Sequence, residues 1–117
     1  MTFNSLPTLF FIVLLAACSS SLLEDASAQY KRDKEYRSLQ VIVENLSKGM
    51  PRKDVERLLG EPDYSPTNGQ YYYSSSQSAY SKDQGRSVPV GLIVDYRDKS
   101  GELTATLHEF SLGPIGE

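Results

Sequence analysis

The run KGMPRKDVERLLGEPD, at positions 48–63, marks both ends of one short helix. Pro51 suits the first helical turn, where a missing N–H has no intrahelical partner to lose. Gly60 can adopt the positive φ that often ends a helix, and Pro62 prevents further helical turns. One side of the helix between these ends is apolar and consists of Val55, Leu58 and Leu59. The sequence therefore predicts a short helix that must bury this side against another element.

A second helical pattern lies just upstream. Four apolar residues recur there at the spacing i, i+3, i+4 and i+7: Leu39, Ile42, Val43 and Leu46. This spacing predicts a helix over residues 32–47, and Gly49 allows the turn that follows it. The two helices form a tight pair whose apolar faces need a sheet to cover them.

The remaining segments alternate or are rich in aromatic residues, as strands are. The first predicted strand covers residues 70–77 and follows the turn-forming pair Asn68-Gly69. The next two strands cover residues 88–97 and 102–111, with a hairpin turn at 98–101. The predicted fold class is α+β, with two N-terminal helices packed on a three-stranded antiparallel meander in the order α-α-β-β-β.

An unbroken apolar run, LFFIVLLAA, leads directly to Cys18, the only cysteine of the chain. The run is shorter than the ~20 apolar residues that span a bilayer. Its length and its small-residue end are typical of a secretory signal. The sequence Leu15-Ala16-Ala17-Cys18 also resembles a bacterial lipobox, in which diacylglycerol is attached to the cysteine sulfur and the signal is cut just before it.

These features predict a lipoprotein signal peptide over residues 1–17, a lipidated N-terminus with a flexible tether over 18–31, and one domain over 32–117. The alternatives are a buried core cysteine, signal cleavage after Ala28 in the sequence ASA, and a short uncleaved anchor. Ser19 follows the cysteine, whereas an Asp at that position is the usual inner-membrane retention signal in Gram-negative lipoproteins. We therefore expect lipid anchoring in the outer membrane, with the domain facing the periplasm.

The composition limits the other function classes. The formal net charge is −3, which suggests neither a nucleic-acid binder nor a polybasic membrane patch. The chain has one histidine, His108, and its place in an alternating segment favours a half-exposed strand residue over a Ser/His/Asp site. One His and one lipidated Cys cannot assemble a usual metal site. We expect no catalysis and no cofactor other than the covalent lipid on Cys18.

Tyrosine is the unusual residue type, since the chain has eight tyrosines and no tryptophan. Tyrosine suits both half-buried strands and protein interfaces. In the run YYYSSSQSAY, Tyr72 must point away from the face that its two neighbours share. The candidate partner-binding residues are therefore Tyr71, Tyr72, Tyr73, Tyr96 and Phe110. The alternative is that strands simply favour aromatic residues.

Between residues 39 and 110 the chain resembles the BamE-like domain, also called SmpA/OmlA, of outer-membrane lipoproteins. The family signature has an L-x-x-G-M turn, a helix that ends in V-x-x-x-L-G-x-P, and an aromatic strand. The residues that match it are Leu46, Gly49, Met50, Val55, Leu59, Gly60, Pro62, Tyr71 and Tyr73. The family usually has Ser or Thr directly after the Met, where this chain has Pro51, so the helix cap bond should be missing.

The resemblance implies a non-enzymatic outer-membrane lipoprotein that binds an envelope protein, with the barrel-assembly complex as the expected partner and no role for nucleic acid. Two other functions stay open. Secreted β-lactamase inhibitors have a similar α-α-β fold. The first alternative is therefore that the chain inhibits a periplasmic hydrolase. A peptidoglycan-associated or stress-induced lipoprotein could also use this scaffold, because a fold does not determine a function.

Overall fold

A computed structural model describes residues 21–115 of the chain, so the predicted signal at 1–17 and Cys18 lie outside the described residues. The described chain is α+β, with helices followed by an antiparallel sheet, which confirms the predicted fold class. The helices are α1 (21–33), α2 (Tyr36–Glu44) and α3 (Arg52–Leu59). The strands are β1 (Tyr64–Thr67), β2 (Gln70–Ser81), β3 (Arg86–Asp95) and β4 (Glu109–Pro114), and they lie in that order in the sheet.

The core lies between the helices and one face of the sheet. Its fully buried side chains include Leu39 and Ile42 from α2, and Val55 and Leu58 from α3. The helical spacing of these residues puts them on one side of each helix, and α2 packs across β2 and β3. On the sheet side of the core, three buried residues pack in the same cluster as these helices: Leu92, Val94 and Tyr96.

The predicted flexible tether is wrong from residue 21 onward, because residues 21–33 form α1. Ala26, Ser27 and Tyr30 are buried on the core, and Tyr30 has no exposed surface. This stripe has helical spacing but contains a small and a polar residue, so it carries little apolar signal. Among residues 21–115, no helix is both long and apolar enough to cross a membrane.

The other two helices agree with the sequence pattern, with one boundary change. A turn at Lys34, whose φ is 57°, separates α1 from α2, so the second helix begins at Tyr36 and not at residue 32. Helix α3 starts after Pro51 without a side-chain cap bond, as predicted. Gly60 ends it with a φ of 77°, also as predicted.

The sheet has four strands where we expected three. The missed strand is β1, which the Asn68-Gly69 turn joins to β2. The last strand begins at Glu109, so the prediction of a strand over 102–111 is wrong for most of its length. Residues 105–107 pair instead with the α2–α3 connection, through bonds from Arg52 N to Ala105 O and from Leu107 N to Met50 O, both 2.8 Å.

Candidate functional site: the outer face of the sheet

The two faces of the sheet follow from its register. Tyr73, Leu92 and Leu112 are partners across β2, β3 and β4, and their side chains point toward the helices. Tyr72, Ile93 and Ser111 are the next row, and alternation turns them to the opposite side. We call this side the outer face. Ser111 is exposed there, whereas Tyr72 and Ile93 are half-buried.

The five predicted partner-binding residues do not lie together on this face. Tyr73 and Tyr96 are 1% and 0% exposed and belong to the core, so they cannot be part of an exposed surface. Tyr71 and Phe110 are half-buried and pack against the core from the same side. Tyr72 alone points to the outer face, and its binding of a partner stays a prediction.

The buried tyrosines have structural contacts that explain their position. Tyr30 OH donates a hydrogen bond of 2.7 Å to Ser74 O, and Tyr73 OH donates one of 3.2 Å to Gly60 O. Burial raises the pKa of both phenols, so they remain neutral donors over the physiological range. Each hydroxyl therefore satisfies a backbone carbonyl while its ring fills the core.

Arg52 holds the first turn of α3 against the aromatic side of the sheet. Its guanidinium carbon lies 4.9 Å from the ring centroid of Tyr71 and 4.8 Å from that of Tyr96. Arg52 Nη2 also donates a hydrogen bond of 2.9 Å to Tyr71 OH. Arginine over aromatic rings is a favourable contact, so Arg52 positions the Tyr71 ring, and the binding of a partner by Tyr71 stays a prediction.

The outer face carries an aromatic pair that contains one predicted and one unpredicted residue. Tyr64 of β1 and Tyr72 of β2 are paired in the sheet, with ring centroids 5.7 Å apart and ring planes at 50°. Tyr64 is 48% exposed. Beside the pair lies a cavity of about 210 Å³, which we call the tyrosine pocket; it is lined by Asp63, Tyr64, Tyr72, Ser74, Arg86, Pro89 and Ile115.

The rim of the tyrosine pocket is polar, and hydrogen bonds hold its side chains in place. Asp63 Oδ2 accepts hydrogen bonds of 2.7 Å from both the backbone N and the Oγ of Ser74, and Asp63 Oδ1 lies 3.7 Å from Lys34 Nζ. On the other strand, Arg86 Nη2 donates a bond of 2.8 Å to Gln84 Oε1. The pocket thus combines aromatic and aliphatic walls with one carboxylate and one guanidinium.

Tyr64 escaped the sequence analysis because β1 was not recognised. The segment Tyr64–Thr67 is short, exposed along its length and contains Pro66, which has no backbone N–H to donate to a neighbouring strand. The available signal was the Asn68-Gly69 pair, which is typical of a two-residue hairpin and so predicts a strand on each side. Pro66 is consistent with that strand because β1 lies at the sheet edge.

A larger groove of about 570 Å³ lies at the other end of β3 and contains His108. Arg97 donates two hydrogen bonds to the Asp95 carboxylate, of 2.9 Å from Nε and 2.6 Å from Nη2, and they lower the pKa of Asp95. His108 Nε2 lies 3.5 Å from Thr106 Oγ1, at the limit of a hydrogen bond. Within residues 21–115, no group of three or more His, Cys, Asp or Glu side chains is arranged to hold a metal ion.

The outer face is thus defined by its own geometry. Its distinctive feature is a tilted tyrosine pair above a small pocket with a polar rim. The larger groove at the other end of β3 instead contains the paired charges of Asp95 and Arg97. Comparison with known proteins adds no relative to this description: no protein-family model, no curated protein and no solved structure matches the chain.

Proposed function

We propose that this chain is a non-enzymatic, lipid-anchored outer-membrane protein of the BamE-like type that faces the periplasm and binds an envelope protein through its outer face. The partner class that we propose is the outer-membrane barrel-assembly complex. The observation that carries the proposal is the tyrosine pocket, in which Tyr64 and Tyr72 present ring surface outside the core.

The chemistry of the pocket favours a polypeptide as its ligand. Tyrosine rings give large contact area at a small entropic cost and are enriched where proteins meet. The volume of about 210 Å³ has room for one large apolar side chain, and the rim residues Asp63 and Arg86 can bond to the polar groups next to it. The partner is therefore expected to insert one apolar residue that is flanked by polar backbone or side chains.

A lipid on Cys18 would strengthen such a contact without enlarging it. Two proteins anchored in one membrane have a raised effective concentration, so a weak interface becomes sufficient for binding. Replacement of Cys18 by Ala should release the domain from the membrane fraction, and mass spectrometry of the wild-type protein should find an acylated N-terminal cysteine. A membrane-bound Cys18→Ala protein or an unmodified wild-type thiol would contradict the anchor.

Affinity recovery from solubilised membranes tests the partner. The wild-type protein should recover barrel-assembly components, identified by mass spectrometry, and Tyr72→Ala should lose most of them. Tyr80→Ala is the matched control, because Tyr80 lies in the same strand and is 66% exposed but does not line the pocket. Equal recovery with both variants, or no barrel-assembly component with the wild-type protein, would exclude this docking function.

A further inference from the structure

Helix α1 is part of the folded domain and is attached along its whole described length. Ser27 Oγ donates a hydrogen bond of 2.8 Å to Leu58 O, and Glu24 accepts bonds of 3.0 and 3.2 Å from Arg57 Nη1. Leu23 packs against the core cluster, and Tyr30 is completely buried in it. A helix of this length is marginal alone, so this packing keeps it helical and fixed relative to the sheet.

The position of the predicted lipid follows from chain length. Only Ser19 and Ser20 separate Cys18 from Ser21, the first described residue of α1. Three residue steps can span at most about 11 Å, whatever conformation they take. The start of α1 would therefore lie within about 11 Å of the backbone of a cysteine whose acyl chains are in the bilayer.

The first described turn of α1 has a side chain suited to that position. Leu22 is 66% exposed and is one of the few large apolar side chains that lie outside the core among residues 21–115. Side chains of a helix tilt toward its N-terminus, so Leu22 is directed toward the anchor end. Of the two carboxylates in this turn, Glu24 is ion-paired with Arg57, which offsets its repulsion from an anionic lipid surface, and Asp25 is exposed.

The opposite end of α1 lies beside the tyrosine pocket. Lys34 Nζ, just after the helix, is 3.7 Å from Asp63 Oδ1, and Tyr30 OH bonds to Ser74 O at 2.7 Å. Asp63 and Ser74 both line the pocket. Residues 21–33 rise by roughly 20 Å along the helix axis, so this distance separates the anchor end from the pocket end.

We infer that α1 is a rigid spacer whose first turn, with Leu22, contacts the lipid surface of the anchoring membrane and whose far end fixes the tyrosine pocket at a set distance from the anchor. This inference depends on the proposed lipidation of Cys18. The domain is then held in a restricted orientation instead of turning freely on a tether. A partner must present its binding segment within this fixed reach of the membrane.

Depth-dependent fluorescence quenching tests the inference. The acylated protein has no free thiol, because Cys18 is its only cysteine, so Leu22→Cys and Asp33→Cys can each be labelled at one position. Asp33 is the matched site, because it is also exposed but lies at the far end of α1. Each processed, acylated protein is placed in phosphatidylethanolamine–phosphatidylglycerol vesicles that contain shallow brominated lipid. The label at position 22 should be quenched at least about twofold more than the label at 33.

Insertion of a flexible Gly-Ser segment between Ser20 and Ser21 should remove that difference and lower the fluorescence anisotropy of both labels. Equal quenching at positions 22 and 33 in protein whose acylation is verified by mass would overturn the spacer and leave the anchor intact. Equal quenching before and after the insertion would overturn it as well. An unmodified Cys18 in the mass spectrum would overturn the proposed anchor, and the spacer with it.

Discussion

Tyr72 and Tyr73 are adjacent in β2 and have opposite environments. Tyr73 is 1% exposed, and its hydroxyl donates a hydrogen bond to Gly60 O from within the core. Tyr72 lies on the outer face, with its ring against that of the exposed Tyr64. The chemical group is the same on both faces. What differs is whether helices cover it, and this decides whether a tyrosine contributes to folding or remains available for binding.

The largest expected effect comes from truncation on each side of β2. Tyr73→Ala should lower the free energy of unfolding by about 3–5 kcal/mol, because it leaves a cavity in the core and removes the hydrogen bond to Gly60 O. Tyr72→Ala should cost about 1 kcal/mol or less. Urea denaturation followed by circular dichroism measures both. A similar loss in the two variants would mean that the outer face is also part of the core.

A second prediction concerns the close approach of strands at Gly91. A Cβ there would clash with Tyr73 O and would lie 2.7 Å from Ile115 Cδ1 and 2.8 Å from Ser74 Cα. Gly91→Ala should therefore destabilise the protein by about 1–3 kcal/mol through overpacking. Gly113, the register partner of Gly91, has no atoms within 4 Å of an added Cβ. Gly113→Ala is the control and should change the unfolding free energy by less than about 0.5 kcal/mol.

A smaller effect is expected where a core hydroxyl is removed without its ring. Tyr30→Phe deletes the 2.7 Å hydrogen bond to Ser74 O and should cost about 1 kcal/mol. The variant should also detach the pocket end of α1 more readily, which hydrogen exchange at the α1 amides can detect. Unchanged stability and unchanged exchange would show that the hydroxyl does not hold α1 to the sheet.

The smallest effect is a pH dependence that comes from the Asp95–Arg97 pair in the larger groove. Hydrogen bonds from Arg97 lower the pKa of Asp95 in the folded state, below the usual value of about 3.9 for an unfolded chain. The carboxylate therefore stabilises the fold above that value, and the contribution disappears as the pH falls through the folded pKa. Asp95→Asn and Arg97→Gln should both flatten the decline in unfolding free energy between neutral and acidic pH. A wild-type decline in both would exclude this pair as its source.

The parts of the fold that the sequence predicted are those that local chemistry determines. Pro51 and Gly60 bound α3, and the alternating pattern over 88–97 predicted a strand that the structure has as β3. These signals act within a few residues, so they are readable without knowledge of the tertiary structure.

The missed parts depend on contacts between distant segments. Helix α1 is held by bonds to Leu58 and Ser74, and its own stripe includes Ala26 and Ser27, so its periodicity was weak. The segment 102–108 alternates like a strand, but residues 105 and 107 bond to Arg52 and Met50, next to the start of α3. Its bonds to the sheet side are confined to the end of β3, where Thr104 N and His108 N donate to Tyr96 O and Asp95 O. Neither the packing of α1 nor the pairing of residues 102–108 can be derived from the local sequence pattern.

The candidate site was predicted in part for the same reason. Alternation correctly turned Tyr72 away from Tyr71 and Tyr73, but it could not say which side the helices would cover. Tyr96 and Phe110 were included as candidates because either could have been on the open side, and both point toward the core. Tyr64 was absent because its strand is short and contains Pro66.

Site-specific photocrosslinking in intact cells tests the docking claim most directly. A photoreactive residue at Tyr64 or at Tyr72 should give the same adduct with a barrel-assembly component, because the two rings line one pocket. The same residue at Tyr80, which is 66% exposed outside the pocket, should give no such adduct. Equal crosslinking from Tyr80, or none from Tyr64 and Tyr72, would contradict the assignment of the outer face as the binding surface.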